Sequence, residues 1–407
     1  MAAQTHTHRA VAARLDELRR AGLHRSLREV SGPQGPRVEF DGREVLLLCS
    51  NNYLGLADHP RVRQAAGEAA ERYGAGAGAS RLISGTMSLH RKLERRLAEF
   101  ERAEAALLFG SGYLANTGVV AALAGRADVV FSDQLNHASI IDGCRLSRAE
   151  TFVYRHCDLE HLAFGLGRAG PRARLIVTDS VFSMDGDIAP LAGLAELARR
   201  HDCLLVVDEA HATGALGPGG RGAVAAAGLE GEVDVVVGTL GKALGSYGAY
   251  VCARTEVIEL LVNTARPFIF STAPPPPAVG AALAALALLR DQPGLVAQLT
   301  RNAAALREAL ADHRLDTGPS QTQIIPVIVG AAADAIALCE QALAGGVFAQ
   351  AIRPPTVPEA TSRLRVSVMA NHRVDELRAA AGVIGRAAAT LRQHAHRDAA
   401  DPLPRAA

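Results

Sequence analysis

The sequence lacks the patterns that mark zinc-binding, disulfide-rich, secreted and membrane proteins. Its six cysteines are scattered without C-x-x-C spacing, which argues against a metal site or a disulfide framework and favours reduced thiols. The polar start, Met1 to His8, has no apolar signal-peptide core. The longest apolar run, Ala278 to Leu289, is shorter than the roughly 20 residues of a membrane span. These absences predict a cytoplasmic protein with no membrane segment and no resident metal.

An excess of one charge is also missing. Lys and Arg together number 43 against 42 Asp and Glu, a net charge of +1. Composition therefore gives no general attraction to nucleic acids or membranes. Residues 208–211, Asp-Glu-Ala-His, also occur in helicases, but that function needs a G-x-x-x-x-G-K-[ST] phosphate loop. Lys242 is followed by Ala243, and no other stretch fits that loop, so the sequence argues against a nucleotide hydrolase.

One lysine follows a predicted strand in the position where open α/β sheets bind ligands. Residues 233–237 form a β-branched run typical of a buried strand, and Lys242 comes after it, between Gly241 and Gly245. Glycines let the backbone approach a cofactor closely. A partly desolvated amine there loses its proton more readily and can form a Schiff base. Taken alone, a single lysine in such a stretch is more often a solvated loop residue.

A carboxylate ends the preceding predicted strand. Residues 204–207 form another buried apolar run, and Asp208 follows it directly. Pyridoxal phosphate needs a lysine for its Schiff base and an acidic partner for its pyridine nitrogen. Asp208 and Lys242, each at the end of a strand, therefore predict this cofactor.

Three further predicted strands end in polar or glycine-rich turns. Gly112 opens a helix after strand 105–109, and the N-terminus of a helix can bind a phosphate. His137 follows strand 128–132 and is either a structural residue or one that stacks on a ring and transfers protons. Ser183 follows strand 174–178. The alternation of strands and helices predicts a parallel sheet, so these residues should meet Asp208, His211 and Lys242 at one edge.

The composition predicts four regions. Residues 1–50 form an N-terminal helix and strand segment, 51–290 a large domain, 291–395 a smaller α/β domain and 396–407 a tail. The proline-rich loop 351–358 fixes Arg353, which either clamps a carboxylate or lies in a plain turn. Arg25, after the first helix, is either a surface residue or a second carboxylate ligand.

Together these stretches resemble the α-oxoamine synthases, which join an amino acid to an acyl thioester. The resemblance runs from about residue 15 to about residue 391 and is strongest at 238–250, 265–272 and 351–358. It implies the α/β fold type I of pyridoxal phosphate-dependent aminotransferases: a large domain with a mostly parallel central sheet and a smaller α/β C-terminal domain. It also implies a homodimer with shared active sites.

The resemblance implies a role for each candidate residue. Lys242 would carry pyridoxal phosphate and move the Cα proton, Asp208 would pair with the ring nitrogen, and His137 would stack on the ring. Ser183 and His211 would bond the ring oxygen. Further implied cofactor contacts are Gly112, Tyr113, Thr239 and Asn51, with Ser271 and Thr272 from the neighbouring subunit. Implied substrate contacts are Arg25, His137, Arg353 and Thr356.

The implied reaction is a decarboxylative condensation of L-alanine with a pimeloyl thioester, carried on coenzyme A or a carrier protein. Asn52 and residues 132–143 resemble instead a glycine-using member of the family, whereas the Arg353 loop favours alanine. Members that use glycine or serine with another acyl group, and an idle scaffold of the same fold, are the alternatives. A scaffold does not need Lys242, Asp208 and His211 together, so the sequence favours an enzyme.

Overall fold

The computed structural model describes residues 6–400, so residues 401–407 of the predicted tail lie outside it. The N-terminal third contains α1 (His6–Arg20), β1 (Arg37–Phe40), β2 (Arg43–Leu47), α2 (Pro60–Tyr73), α3 (Ser88–Glu101), β3 (Ala105–Phe109), α4 (Gly112–Leu123) and β4 (Val129–Asp133). The middle contains α5 (Ala138–Ser147), β5 (Glu150–Tyr154), α6 (Leu159–Ala169), β6 (Ala173–Asp179), α7 (Leu191–Arg200), β7 (Leu204–Asp208), α8 (Gly222–Ala226), β8 (Val235–Thr239) and β9 (Ala249–Ala253). The remainder contains α9 (Thr255–Thr264), α10 (Arg266–Ile269), α11 (Pro276–Asp291), α12 (Gly294–Asp312), β10 (Ile324–Gly330), α13 (Ala332–Ala344), β11 (Val347–Phe348), β12 (Gln350–Ile352), β13 (Ser362–Ser367) and α14 (Val374–Ala400).

The central sheet has seven strands in the order β3-β9-β8-β7-β6-β4-β5. Only β9 runs against its two neighbours, β3 and β8, so the expected mostly parallel sheet is confirmed. Helices cover both faces of such a sheet, which explains why its strands are continuous apolar runs. Successive side chains of a strand point to opposite faces. Leu205 and Val207 therefore join the core on the side of α3, α7 and α11, whereas Val206 packs on the side of α4, α5 and α9.

Two smaller sheets flank the central one. Strands β10, β13 and β12 form an antiparallel sheet, and the β1–β2 hairpin is extended by β11. The second of these sheets thus joins the first 50 residues to the last quarter of the chain. The division into four regions stays a prediction. Among the described residues no single helix is long and apolar enough to cross a membrane, although α11 and α12, bent by 83°, meet that test as a pair.

A glycine sets the distance between the central sheet and the sheet of β10. Gly186, in the loop after β6, has a φ of +72°, and a Cβ there would lie 2.0 Å from the Ile324 carbonyl oxygen. The Gly186 carbonyl accepts hydrogen bonds from Gln321 N and Thr322 Oγ1, each at 3.0 Å. Only glycine allows this approach, which brings β10 and β13 against the loops that follow the central strands.

Candidate active site

Lys242 lies half-buried in the loop after β8, with Nζ 3.0 Å from Nε2 of His211. Burial disfavours the charged ammonium and lowers the pKa of Lys242 to about 8. The carboxylates of Asp208 and Asp179 oppose this shift, and the nearby charge of Arg365 adds to it. Lys242 is therefore an amine that loses its proton close to neutral pH.

The side chain of His211 is held from both ends. Its Nδ1 lies 2.7 Å from the Tyr53 hydroxyl, which donates to Asn51 Oδ1 at 3.1 Å and accepts from Arg365 Nη2 at 3.2 Å. Because the hydroxyl hydrogen is used on Asn51, Nδ1 of His211 is the donor, and Nε2 is left to accept from Lys242. Burial, reinforced by the charge of Lys242, places the pKa of His211 well below its usual range. His211 is thus a neutral acceptor for the lysine amine.

Asp208 ends β7 and is 4% exposed. Its Oδ2 accepts from Asn116 Nδ2 at 2.6 Å, and its Oδ1 accepts from the backbone N of Ala210 at 2.7 Å. No cationic side chain among the described residues forms an ion pair with it. A buried carboxylate held by neutral donors keeps the capacity to pair with a cationic ring nitrogen.

His137 precedes α5 at the rim of the site. Its Nδ1 lies 2.7 Å from Ser139 Oγ, and its backbone N donates to Asp179 Oδ2 at 2.6 Å. Partial desolvation by the surrounding walls lowers the pKa of His137, although Asp208 opposes the shift. Asp179 pairs in register with Asp208 on the neighbouring strand. The main chain of His137 is therefore fixed, and its ring is left exposed at the rim.

The N-terminus of α4 lies at the end of β3. Ser111 Oγ caps the helix by accepting from Leu114 N at 3.2 Å, and Gly112 has open space where a Cβ would be. The first N–H groups of a helix have no acceptor within it, so those of Gly112 and Tyr113 can bind an anion. The Tyr113 hydroxyl donates to Asp142. Thr239 Oγ1 donates to the Gly248 carbonyl at 3.1 Å and shapes the lysine loop.

Ser183, Ser271 and Thr272 occupy loops. The carbonyl of Ser183 accepts from Arg365 Nε, and its side chain is half-buried. Thr272 forms a β-bridge with Ser80, which ends the glycine-alanine stretch 74–80. Within this single chain neither Ser271 nor Thr272 has a recorded contact with Lys242 among the described residues.

Arg25, Arg353 and Thr356 line one cleft of about 540 Å³ between the segment after α1 and the loop after β12. The guanidinium of Arg353 donates to the carbonyls of Gly22 and His24 at 2.7 and 2.6 Å. It has no recorded contact with the lysine or its partners in the described part of the chain. The structure thus brings these three residues together, but in a region distinct from the Lys242 contacts.

Sequence reasoning missed Arg365, Tyr53, Asn116 and Asp179. Arg365 is buried in β13, a strand with every residue buried, and its charge faces Lys242, His211 and Tyr53. A buried arginine is rare unless it is paired. The available signal was the place of Arg365 within a predicted strand, between Leu364 and Val366. The sequence contained no such signal for Tyr53 and Asn116, because their partners come from distant parts of the chain.

The chain is similar to known proteins over most of its length. The model of the family described as aminotransferase class I and II matches residues 43–384. A curated 8-amino-7-oxononanoate synthase from Geobacter sulfurreducens is 54% identical over 381 residues, which cover 93% of this chain and 97% of that protein.

Two solved structures extend the comparison. A serine palmitoyltransferase variant from S. paucimobilis with a bound PLP–myriocin aldimine has a TM-score of 0.88 at 33% identity, covering 94% of this chain and 97% of that one. An 8-amino-7-oxononanoate synthase from Francisella tularensis has a TM-score of 0.75 at 29% identity, covering 86% and 99%. The expected fold type I is confirmed.

Proposed function

The chain belongs to the aminotransferase class I and II family, and from that premise we propose that it catalyses the reaction of an 8-amino-7-oxononanoate synthase. L-Alanine and a pimeloyl thioester give 8-amino-7-oxononanoate, CO2 and the free thiol, a step of biotin biosynthesis. The identity of 54% over nearly the whole length to a curated synthase carries this proposal. The serine palmitoyltransferase structure, at 33% identity, supports the cofactor chemistry more than the choice of substrate.

The donors around Lys242 fit pyridoxal phosphate. Lys242 Nζ is an amine with a lowered pKa, Asp208 is a buried carboxylate without a cationic partner among the described residues, and α4 offers free N–H groups at Gly112. When bound, the cofactor supplies an electron sink for negative charge at the amino acid's Cα. Asp208 would keep the ring nitrogen protonated, and the N-terminus of α4 would hold the phosphate with Thr239 nearby. His137 would stack on the ring, and Ser183 would donate to its oxygen. His211 Nε2, an acceptor, would bond the same oxygen where that oxygen carries a proton.

Lys242 would also move the proton at Cα. A base works best with a pKa near the working pH, and a lysine amine with a pKa of about 8 meets that condition. His211 Nε2 accepts from Nζ and so orients its lone pair. The deprotonated carbon attacks the thioester carbonyl, the thiol leaves, the carboxylate departs as CO2, and Lys242 returns a proton to the same carbon.

Arginines would bind the substrate carboxylates. Arg353 is proposed for the amino-acid carboxylate, and to reach it the guanidinium must leave the carbonyls of Gly22 and His24. Arg365, with no carboxylate partner among the described residues, already lies beside Lys242 and adds positive charge where that carboxylate would bind. Arg25 and Thr356 would line the acyl path in the cleft of about 540 Å³.

Two copies of the chain would share their sites. Ile83 is 81% exposed and Phe270 is 70% exposed, and both flank the bridge between Ser80 and Thr272. Large exposed apolar side chains grouped around one segment support burial against a second copy. In the homodimer Ser271 and Thr272 would reach the partner's phosphate site.

All six cysteines are free thiols, which supports a reducing, cytoplasmic location.

The deciding experiment is a product assay by mass spectrometry. The protein, loaded with pyridoxal phosphate, receives alanine, glycine or serine in separate reactions with pimeloyl-CoA, a pimeloyl-carrier protein or a shorter acyl-CoA. Alanine-dependent 8-amino-7-oxononanoate is the expected product. Turnover with glycine and a shorter acyl-CoA alone would replace the substrates with those of a 2-amino-3-oxobutyrate ligase. A loaded protein without visible cofactor absorbance would overturn the proposal.

A further inference from the structure

Beside the active site, another histidine, His156, lies between two carboxylates. His156, in the loop between β5 and α6, has Nδ1 2.9 Å from Asp133 Oδ1 and Nε2 2.8 Å from Asp187 Oδ2. The side chains of Asp133 and Asp187 are 1% and 10% exposed, and that of His156 is 24% exposed. We call these three side chains the His156 clamp.

With both carboxyl groups ionised, the two hydrogen bonds require a charged ring between them. A neutral imidazole has one N–H, so one of its nitrogens would face a carboxylate with no hydrogen between them. The imidazolium donates to both carboxylates at once. Burial alone would lower the pKa of His156. The hydrogen bonds to Asp133 and Asp187, joined by a contact with the Cys157 thiol, outweigh burial and raise the pKa to about 12.

Two residues of the clamp also belong to a group that could bind a metal ion, but their hydrogen bonds do not favour a metal site. Ligand atoms of Asp133, His156 and Cys157 lie within 4.8 Å of one another. Both nitrogens of His156, however, already bond carboxylates, so a metal ion would have to displace one of them. The ring itself supplies the positive charge that the two carboxylates need.

The clamp joins loops that follow three neighbouring strands. Asp133 ends β4, four positions before His137, and its Oδ2 also accepts from the backbone N of Cys157 at 2.8 Å. Asp187 closes the loop that carries Ser183. The His156 ring stands edge-on to Phe182 of that loop, with centroids 4.3 Å apart at 89°.

The loop that carries Ser183 is held from its other side by β13. Arg363 bonds Asp185, and Arg365 donates to the Ser183 carbonyl. The clamp and the two arginines therefore fix opposite sides of one loop. Moving His156 would shift this loop relative to the loop of His137, although His156 itself has no recorded contact with Lys242 in the described part of the chain.

We propose that His156 is a positioning residue: as an imidazolium between Asp133 and Asp187 it sets the spacing of the loops that carry His137 and Ser183. Its kinetic consequence rests on the proposed function, because both loops would flank the cofactor. Its protonation and its effect on cofactor absorbance do not depend on which substrates are used.

The test compares His156→Gln with the double variant His156→Gln/Asp187→Asn. In the single variant the glutamine amide donates to Asp133, and its carbonyl oxygen opposes the Asp187 carboxylate. In the double variant the asparagine amide introduced at position 187 donates to that oxygen, which restores both hydrogen bonds without charge. His201→Gln, at the end of α7, is the matched control.

Four quantities are measured: the His156 ring nitrogen shifts by NMR at pH 9, the visible absorbance of the protein loaded with pyridoxal phosphate, the unfolding temperature, and kcat and KM for alanine. We expect a doubly protonated ring at pH 9 and an altered absorbance in His156→Gln. A misplaced catalytic group costs up to about 100-fold, so kcat should fall roughly 10- to 100-fold in the single variant and recover in the double variant.

A neutral ring at pH 9 would overturn the proposal. So would a His156→Gln variant that unfolds at a lower temperature but keeps wild-type absorbance and kcat, because that result reports a structural role only. If the wild type makes no product from alanine, the proposed function fails, and the NMR and absorbance results still decide the clamp. If His156→Gln does not fold, Asp187→Asn alone gives the same comparison, with the fall in kcat expected to be smaller.

Discussion

His211 and His156 both lie near the carboxyl ends of strands in one sheet, yet their surroundings shift their pKa values in opposite directions. His211 faces the cations Lys242 and Arg365, so burial and its neighbours both lower its pKa. His156 faces two carboxylates, which overcome burial and raise its pKa to about 12. Burial lowers the pKa of both rings, so the sign of the neighbouring charges explains why one histidine is a neutral acceptor and the other a fixed cation.

This difference separates two tasks at one edge of the sheet. Around Lys242 the neighbouring cations lower the pKa values of Lys242 and His211, so these groups release protons readily, which suits proton transfer. In the His156 clamp the charge is held firmly, which suits the fixing of loops. Four variants test this difference.

Lys242→Ala should have the largest effect. It removes both the attachment of the cofactor and the proposed base, so kcat should fall by at least about 10⁴-fold, the upper range for loss of an acid–base group. An active Lys242→Ala enzyme would contradict the assignment of the site. The chain has only two lysines, Lys92 and Lys242, so borohydride reduction of the loaded protein followed by peptide mapping should label Lys242 and leave Lys92 unlabelled. Lys92→Ala, on the exposed face of α3, is the control and should keep wild-type kcat.

Arg365→Met tests the cationic side of the contrast. The charge of Arg365 lowers the pKa of Lys242, so its removal should raise that pKa above about 8. The pH dependence of Lys242 acylation in the cofactor-free protein measures it. A charged hydrogen bond contributes about 1.5–3 kcal/mol, so kcat/KM for alanine should also fall roughly 10- to 100-fold. An acylation profile that moves to lower pH would contradict the electrostatic account, and Arg301→Met on α12 is the surface control.

His156→Gln tests the anionic side through stability. A histidine with a raised folded-state pKa stabilises most below its unfolded pKa of about 6.5, and this contribution is lost as pH rises toward the folded value of about 12. The stability advantage of wild type over His156→Gln should therefore shrink between pH 6.5 and 9.5, by up to about 1.4 kcal/mol per pH unit. Urea unfolding of the cofactor-free proteins measures it. An advantage that is constant or grows with pH would show that His156 is not charged.

Tyr53→Phe should have the smallest effect. It removes the acceptor for His211 Nδ1 while keeping the ring in a fully buried position. The hydroxyl also bonds Asn51 and Arg365, but of its three partners only His211 has a recorded hydrogen bond with Lys242 among the described residues. One neutral hydrogen bond contributes about 0.5–1.5 kcal/mol, so kcat should fall only about 2- to 10-fold. If kcat fell as far as in Lys242→Ala, the hydroxyl would have a direct chemical role. Tyr73→Phe on α2 is the control.

Much of the lysine site could be predicted because its residues directly follow continuous apolar strands. Asp208 ends one such strand, and Lys242 lies in the loop after the neighbouring strand. Parallel pairing brings these strand ends together whatever the details of packing. Predicting a mostly parallel sheet was therefore enough to predict that these two residues lie close together. The roles of the site residues stay predictions.

The remaining contacts depend on packing between distant segments. Arg365 reaches Tyr53 across 312 positions, and His156 meets its two carboxylates across 23 and 31 positions. No periodicity in the sequence links such positions. The approach of β10 and β13 at Gly186 brings Arg365 to Tyr53, and the pairing of β4 with β5 and β6 brings His156 to its carboxylates. The contact of Arg353 with the carbonyl of His24 likewise joins residues 329 positions apart.

That last contact makes the position of the Arg353 guanidinium depend on the N-terminal segment. An expression clone that starts translation at residue 25 would lack both carbonyls that hold Arg353, and its guanidinium would be released without any change to the loop that carries it. Boundaries for recombinant fragments of this enzyme should therefore keep residues 22 to 24, and a kinetic difference between full-length and shortened clones would report on Arg353.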